Sequence, residues 1–181
     1  MSAMGAIVAV TLRGLLSRRR AVLMVLLAAL PVLVGLLIRL GGGRADAPEI
    51  LDTLVIRTVL PLIALIVGTS AIGSEIEDGT LVYLLVKPVP RWRIALAKLT
   101  VAAGLTAVLI VPPILATGIL VGGFGSASLT VAFGYAVAAI IGGAAYAAAF
   151  ATLSTITSRA LVFGLGYTLL WEGVLAGLLE G

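Results

Sequence analysis

Residues 21–40, AVLMVLLAALPVLVGLLIRL, decide the fold class of this chain. A hydrocarbon core about 30 Å thick needs roughly 20 apolar residues in an α-helix to cross it. The stretch has that length, and its one charged residue, Arg39, stands next to its end. A signal peptide has an apolar core of only about 7–15 residues. The stretch therefore predicts a membrane-spanning helix rather than a cleaved leader.

Four further apolar runs follow, at about 53–73, 99–121, 129–153 and 161–179. Over its 181 residues the chain is 61% hydrophobic and 11% charged. Soluble domains have about 45–50% apolar and about 25% charged residues. The composition excludes a soluble globular domain. It predicts an all-α, polytopic transmembrane helix bundle with five visible spans, folded as a single transmembrane domain over 1–181.

The Lys and Arg residues divide unevenly between the two sides of this predicted bundle. Nine lie in or next to 1–20, the 74–98 connection or the short connection before the fifth span, and three lie on the opposite side. Positive residues are retained in the cytoplasm, so we expect the N-terminus inside and the C-terminus of this chain outside. Residues 1–20 are basic and amphipathic, which predicts a helix on the cytoplasmic leaflet. A short leader whose arginines only fix the topology is an equal alternative.

Several kinds of chemistry are excluded by composition. The chain has no Cys and no His, so disulfides, thiolate metal sites and Ser-His catalysis are all ruled out. We predict no catalytic residue, no metal site and no bound cofactor. The chain also has no G-x-x-x-x-G-K-[ST] run, so a separate chain would have to bind and hydrolyse ATP. The net charge of +4 reflects Lys and Arg residues that orient the chain in the membrane. We therefore predict that the chain interacts with the lipid bilayer and not with nucleic acid.

The 74–98 connection, SEIEDGTLVYLLVKPVPRWRIALAK, is the only long polar one. Ser74 with Glu77 fits a capping box, which predicts the start of a helix. An apolar stripe and two prolines follow. The pattern predicts a short helix with an acidic start, of a kind able to dock into a cytoplasmic partner. The residues alone slightly favour the other interpretation, a solvated loop whose leucines rest on the bilayer.

These residues resemble the permease of type-2 ABC transporters. The likeness rests on the acidic E-x-E-x-G-T-L run, a leucine pair, Pro88, Arg91 and Lys98, in that order between the second and third spans. It implies six spans, of which five are visible here, and a homo- or heterodimer of permeases in a prokaryotic plasma membrane. It also implies a cytoplasmic ABC ATPase subunit that binds the ATP. The resemblance assigns ATPase coupling to Glu75, Glu77, Asp78, Gly79, Thr80, Leu81, Leu84 and Leu85, and an interfacial connecting helix to 1–20.

Other candidate residues lie in the spans. Arg57 and Glu172 are candidates for a substrate pathway near the outer surface, and simple snorkelling to the headgroups is the alternative for each. Three small residues spaced by four in the fourth span predict close helix packing, within the chain or at a dimer seam. These are Gly143, Ala147 and Ala151.

Together with these patterns, the resemblance implies the permease subunit of an ATP-driven ABC exporter, and not an enzyme. It would couple to the ATPase through residues 74–85. The alternatives are a non-transporting scaffold or regulatory subunit, or a small secondary transporter. No ionisable residue is expected at mid-membrane, which argues against a secondary transporter.

Overall fold

The computed structural model describes residues 18–41, 46–77, 90–157 and 159–170. Within these ranges every regular element is a helix, which confirms the predicted all-α transmembrane bundle. The α-helices are α1 Arg18–Leu40, α2 Ala47–Ile50, α3 Leu60–Glu77, α4 Arg91–Gly122, α5 Ser126–Ile156 and α6 Ala160–Tyr167. Residues Leu51–Val59 form a π-helix that joins α2 to α3 without a break. We call it the π segment.

Four helical stretches are long and apolar enough to cross a membrane, and they correspond to the first four predicted spans. They are Arg20–Leu40, Ala47–Gly73, Trp92–Gly122 and Ala127–Ile156. The fifth predicted span, 161–179, is described only as far as the shorter apolar helix Ala160–Leu170. The predicted interfacial helix at 1–20 lies almost wholly outside the described residues, which begin at Arg18.

Two spans begin earlier than predicted. The second starts at Ala47 rather than near residue 53, because Pro48 lies in its first turn, where a missing N–H costs no hydrogen bond. The third starts at Arg91 rather than near residue 99, directly after Pro90. The polar residues at these starts made them resemble loops, but they occupy the first turns of helices.

The continuous helix of α2, the π segment and α3 lies at the centre of the bundle. Half of the residues in its most apolar stretch are buried inside the bundle, against 22% of those in the corresponding stretch of α1. Helix α5 packs along both α3 and α4, while α1 packs mainly on α4 and α6 rests on α3 and α5. Large apolar side chains of the central helix, such as Val59 and Ile63, meet Ile110 and Ile114 of α4 in one buried cluster.

Glycine allows these helices to approach closely. A Cβ atom placed on Gly68 of α3 would lie 2.7 Å from the carbonyl oxygen of Ala147 in α5. One placed on Gly118 of α4 would lie 2.7 Å from the Cβ of Ala132. Small residues at such crossings bring helix backbones together, and dispersion between the backbones then holds a membrane bundle.

The bundle has two ends, and each brings together turns that are distant in sequence. At one end Gly73 of α3 lies against Ser154 of α5. We call this the Lys98 end, where α3 and α5 end and α4 begins. At the other, Gly122 lies against Ser128 and Ala47. We call that the Arg57 end.

One polar group in the interior has no partner among the described residues. The hydroxyl oxygen of Thr117 in α4 is fully buried and makes no hydrogen bond there. The methyl group of the same side chain packs against Gly35 of α1. Thr117 therefore contributes to the α1–α4 contact through its apolar part.

Candidate functional site

Two of the predicted coupling residues lie at the Lys98 end, and the others lie outside the described residues. The backbone of Glu75 and Glu77 lies in the last turns of α3. The remaining six, Asp78, Gly79, Thr80, Leu81, Leu84 and Leu85, lie outside the described residues. Their assignment to ATPase coupling stays a prediction.

The predicted helix start at Ser74 is wrong. Helix α3 runs without interruption from Leu60 to Glu77, so Ser74 and Glu77 lie in a helix that began much earlier. The capping pattern S-x-x-E is short, and it is overridden here by the apolar run before it. Gly73 lies inside α3 rather than at its end. Its lack of a side chain lets α3 lie close to Ser154 of α5.

Lys98 is a buried cation in the second turn of α4. Its side chain is 2% exposed, and its Nζ donates a hydrogen bond of 3.2 Å to the carbonyl oxygen of Ala71 in α3. Sequence reasoning placed it at the edge of a polar loop. The signal that was missed is its spacing, since Lys98 follows Ile94 by one helical turn and so lies on the same buried face of α4.

The opposite face of the same helix start is polar and exposed. Trp92 is 60% exposed, and the guanidinium of Arg93 lies 5.3 Å from the centre of its ring. Tryptophan and arginine together are typical of the boundary between membrane and water. The first two turns of α4 therefore place one aromatic and cationic pair outward and one cation inward.

Arg57 forms an ion pair with Asp52. Because this span runs from Ala47 to Gly73, Arg57 lies three residues from its middle rather than near the outer surface as predicted. The Nε atom of Arg57 lies 2.9 Å from Oδ2 of Asp52, and both side chains are partly exposed. Residues five apart stand about 140° apart around an α-helix of 3.6 residues per turn, so they would not meet there. The wider turns of the π segment bring them to one face. Thr58 reaches back five residues in the same way, to the carbonyl oxygen of Thr53.

Glu172, the other candidate for a substrate pathway, lies outside the described residues. Asp52 was missed because the five-residue spacing does not match the three or four that an α-helix requires. Tyr135 of α5 was missed as well. Its partly buried ring packs against the core cluster that includes Val55 and Val59 of the π segment.

The small residues of α5 face their own chain. Gly143 lies against Thr106 of α4, and its Cβ position is 3.0 Å from the methyl group of that threonine. Ala147 packs on Gly68 of α3, and Ala151 is fully buried. This stripe is covered by α3 and α4 rather than left on the outer surface of the bundle.

The sequence profile described as ABC-2 family transporter protein matches residues 16–172. The chain belongs to the ABC-2 transporter family. This ABC-2 chain is a multi-pass membrane permease, as the resemblance of its second-to-third-span connection indicated. The match includes all four long spans and both ends of the bundle. No curated protein and no solved structure matches the chain.

Family membership sets the two ends of the ABC-2 permease in context. Permeases of this family generally work with an ATPase partner. At the Lys98 end, Glu75 and Glu77 belong to the last turns of α3, and the Arg57 end carries the ion pair. The two groups lie in opposite halves of the same central helix.

Proposed function

We propose that this chain is the membrane-spanning subunit of an ATP-driven exporter, coupled to a separate cytoplasmic ABC ATPase through residues 74–85. The observation that carries the proposal is the family match, which includes the acidic end of α3, the 78–89 connection and helix α4 that follows it. The chain contains no phosphate-binding loop of its own, so the energy of ATP must arrive through contact with another protein. A second permease protomer, identical or related, completes the assembly.

The proposed mechanism transmits motion along two helices. Closure of the ATPase dimer would press on the 78–89 connection and tilt α3 and α4, which begin or end there. The bundle would then alternate between two packings of its helices, each open to one side of the membrane. ATP binding to the partner would shift the population from one packing to the other. Arg57 and Glu172 would line the substrate pathway, with Asp52 beside Arg57.

A pull-down in mild detergent tests the ATPase partnership. The wild-type chain should bring down an ABC ATPase in stoichiometric amount, and Glu77→Arg should lose it, because charge reversal opposes the acidic docking surface. Glu49→Arg is the matched control, since it makes the same change at an exposed position at the Arg57 end. A Glu77→Arg chain that still binds the ATPase would refute the coupling assignment. A wild-type chain that comes down alone would favour a scaffold or a self-sufficient transporter.

Orientation is tested separately, using the absence of native cysteine. We propose that the Lys98 end faces the cytoplasm of a prokaryotic cell, because most Lys and Arg residues lie there. Trp92→Cys and Phe124→Cys place single thiols at exposed positions on opposite ends. In intact cells a membrane-impermeant maleimide should label Phe124→Cys and should reach Trp92→Cys only after permeabilisation. The reverse pattern would invert the proposed topology.

A further inference from the structure

The buried ammonium of Lys98 is unusual for a helix that packs in a membrane. An ionisable side chain is costly in an apolar bundle and is tolerated where partners compensate its charge. Lys98 is 2% exposed, and its neighbours Ile94, Ala97 and Ala71 are also buried. A methionine would fill similar space without the cost of burying a charge, so packing alone does not account for a lysine.

The hydrogen bond of Lys98 crosses between two helices. Its Nζ donates to the carbonyl oxygen of Ala71, a residue 27 positions earlier and on α3 rather than α4. A helix carbonyl has a second lone pair, so it can accept this bond and still take part in the helix ladder. The bond joins α3 and α4 immediately inside the membrane from the 78–89 connection.

The charge of Lys98 also suits its place. The C-terminal end of a helix carries partial negative charge, which favours a cation nearby. The Ala71 carbonyl that binds Lys98 lies within the last two turns of α3, toward this end of the helix. Arg93, the other basic residue of α4 whose side chain is described, is exposed and does not have this position.

We propose that Lys98 is a positioning residue that clasps α3 to α4 at the base of the 78–89 connection. The clasp makes the two helices move as one body when force reaches the connection. Without it, the same force would separate the two helix ends, and less of the motion would reach the Arg57 end. This inference rests on the proposed function for its mechanical role, while the clasp itself is a property of the isolated chain.

Amide hydrogen exchange on the purified chain tests the clasp. Lys98→Met should speed exchange by roughly tenfold or more in the last turns of α3, because a charged hydrogen bond contributes about 1.5–3 kcal/mol. Exchange in the half of α4 near Gly122 should not change. Lys98→Arg should retain most of the protection. The control Arg93→Met removes the same charge from an exposed site of the same helix and should leave α3 unaltered. Equal protection in Lys98→Met and wild type would overturn the clasp.

A second measurement tests transmission. A fluorophore on Phe124→Cys, at the Arg57 end, should respond to ATP when the co-purifying ATPase is bound to the wild-type background. In Lys98→Met the ATPase should still bind and hydrolyse ATP, but the fluorophore response should be largely lost, and Lys98→Arg should restore it. An undiminished response in Lys98→Met would refute the mechanical role. If Lys98→Met does not fold, Lys98→Gln replaces it, since glutamine removes the charge and keeps a donor.

The two hypotheses fail in different ways. If no ATPase accompanies the wild-type chain, the proposed function and the transmission role both fail, and the exchange comparison still decides whether Lys98 holds α3 to α4. If the ATPase binds and exchange is unaltered by Lys98→Met, the proposed function stands and the clasp is wrong.

Discussion

Gly68→Ala tests a close approach of two helix backbones in the bundle, that of α3 and α5. The added Cβ would lie 2.7 Å from the carbonyl oxygen of Ala147 and 3.1 Å from the Cβ of Phe150. The first distance is about 0.7 Å short of an ordinary contact at 3.4 Å. The obstructing atom belongs to the backbone and cannot rotate away. Helices α3 and α5 would have to separate along their crossing.

The size of the effect follows from two opposed contributions. Forcing extra volume into a packed contact costs typically about 1–3 kcal/mol. Replacing glycine by alanine in a helix favours the helix by up to about 1 kcal/mol. We therefore expect Gly68→Ala to lower the free energy of unfolding by about 1–2 kcal/mol. Gly104→Ala is the matched control, because its Cβ meets nothing within 4 Å, and it should be neutral or stabilising.

The comparison needs a reversible unfolding measurement. Titration of detergent-solubilised protein with SDS gives the free energy of unfolding, and size-exclusion chromatography after heating gives an independent ranking. The two alanine variants should move in opposite directions from wild type. If Gly68→Ala were as stable as Gly104→Ala to within about 0.5 kcal/mol, α3 and α5 would not cross as closely as described.

Three further predictions use the same titration. Thr117→Val should leave stability unchanged or raise it by up to about 1 kcal/mol, because the buried hydroxyl makes no hydrogen bond among the described residues; a clear loss would reveal a partner for it. Arg57→Met and Asp52→Asn should each lower the free energy of unfolding by less than about 1 kcal/mol, since the pair is partly exposed. The double variant should lose less than the sum of the two single losses. Full additivity would mean that the two side chains do not interact. Ile63→Ala should cost about 2–5 kcal/mol of stability, because it leaves a cavity in the core. The control Val108→Ala, at an exposed position, should change stability by no more than about 0.5 kcal/mol. Similar losses in the two variants would place Ile63 outside the core.

The existence and order of the spans could be predicted from sequence, because the bilayer imposes a length and an apolar composition on each helix. The helix starts were less predictable. Arg91, Trp92 and Arg93 resemble a loop by composition, yet they form the first turn of α4. Hydropathy marks where a helix is immersed in lipid, and a helix continues beyond that limit wherever its backbone bonds remain satisfied.

The polar contacts could not be predicted, for two different reasons. The Asp52–Arg57 pair depends on a π-helical winding that no residue pattern in 51–59 signalled, so the α-helical spacing rules were the wrong ones to apply. The burial of Lys98 depends on how α3 and α4 cross, which is a tertiary property. Family resemblance, by contrast, was readable from residues 75–98, because order and spacing along the chain carry it.

The π segment has a consequence for how related sequences are expected to differ. A π turn closes each hydrogen-bonded ring with one residue more than an α turn, and the bond from Leu60 N–H to the Val55 carbonyl is of this wider kind. Loss of a residue within 51–59 would therefore let the helix rewind as ordinary α-helix, with a smaller rotation of α3 than the same loss would cause elsewhere. Natural length variation among relatives should concentrate in these nine positions, and those with a shorter stretch should lose the ion pair along with the extra residue.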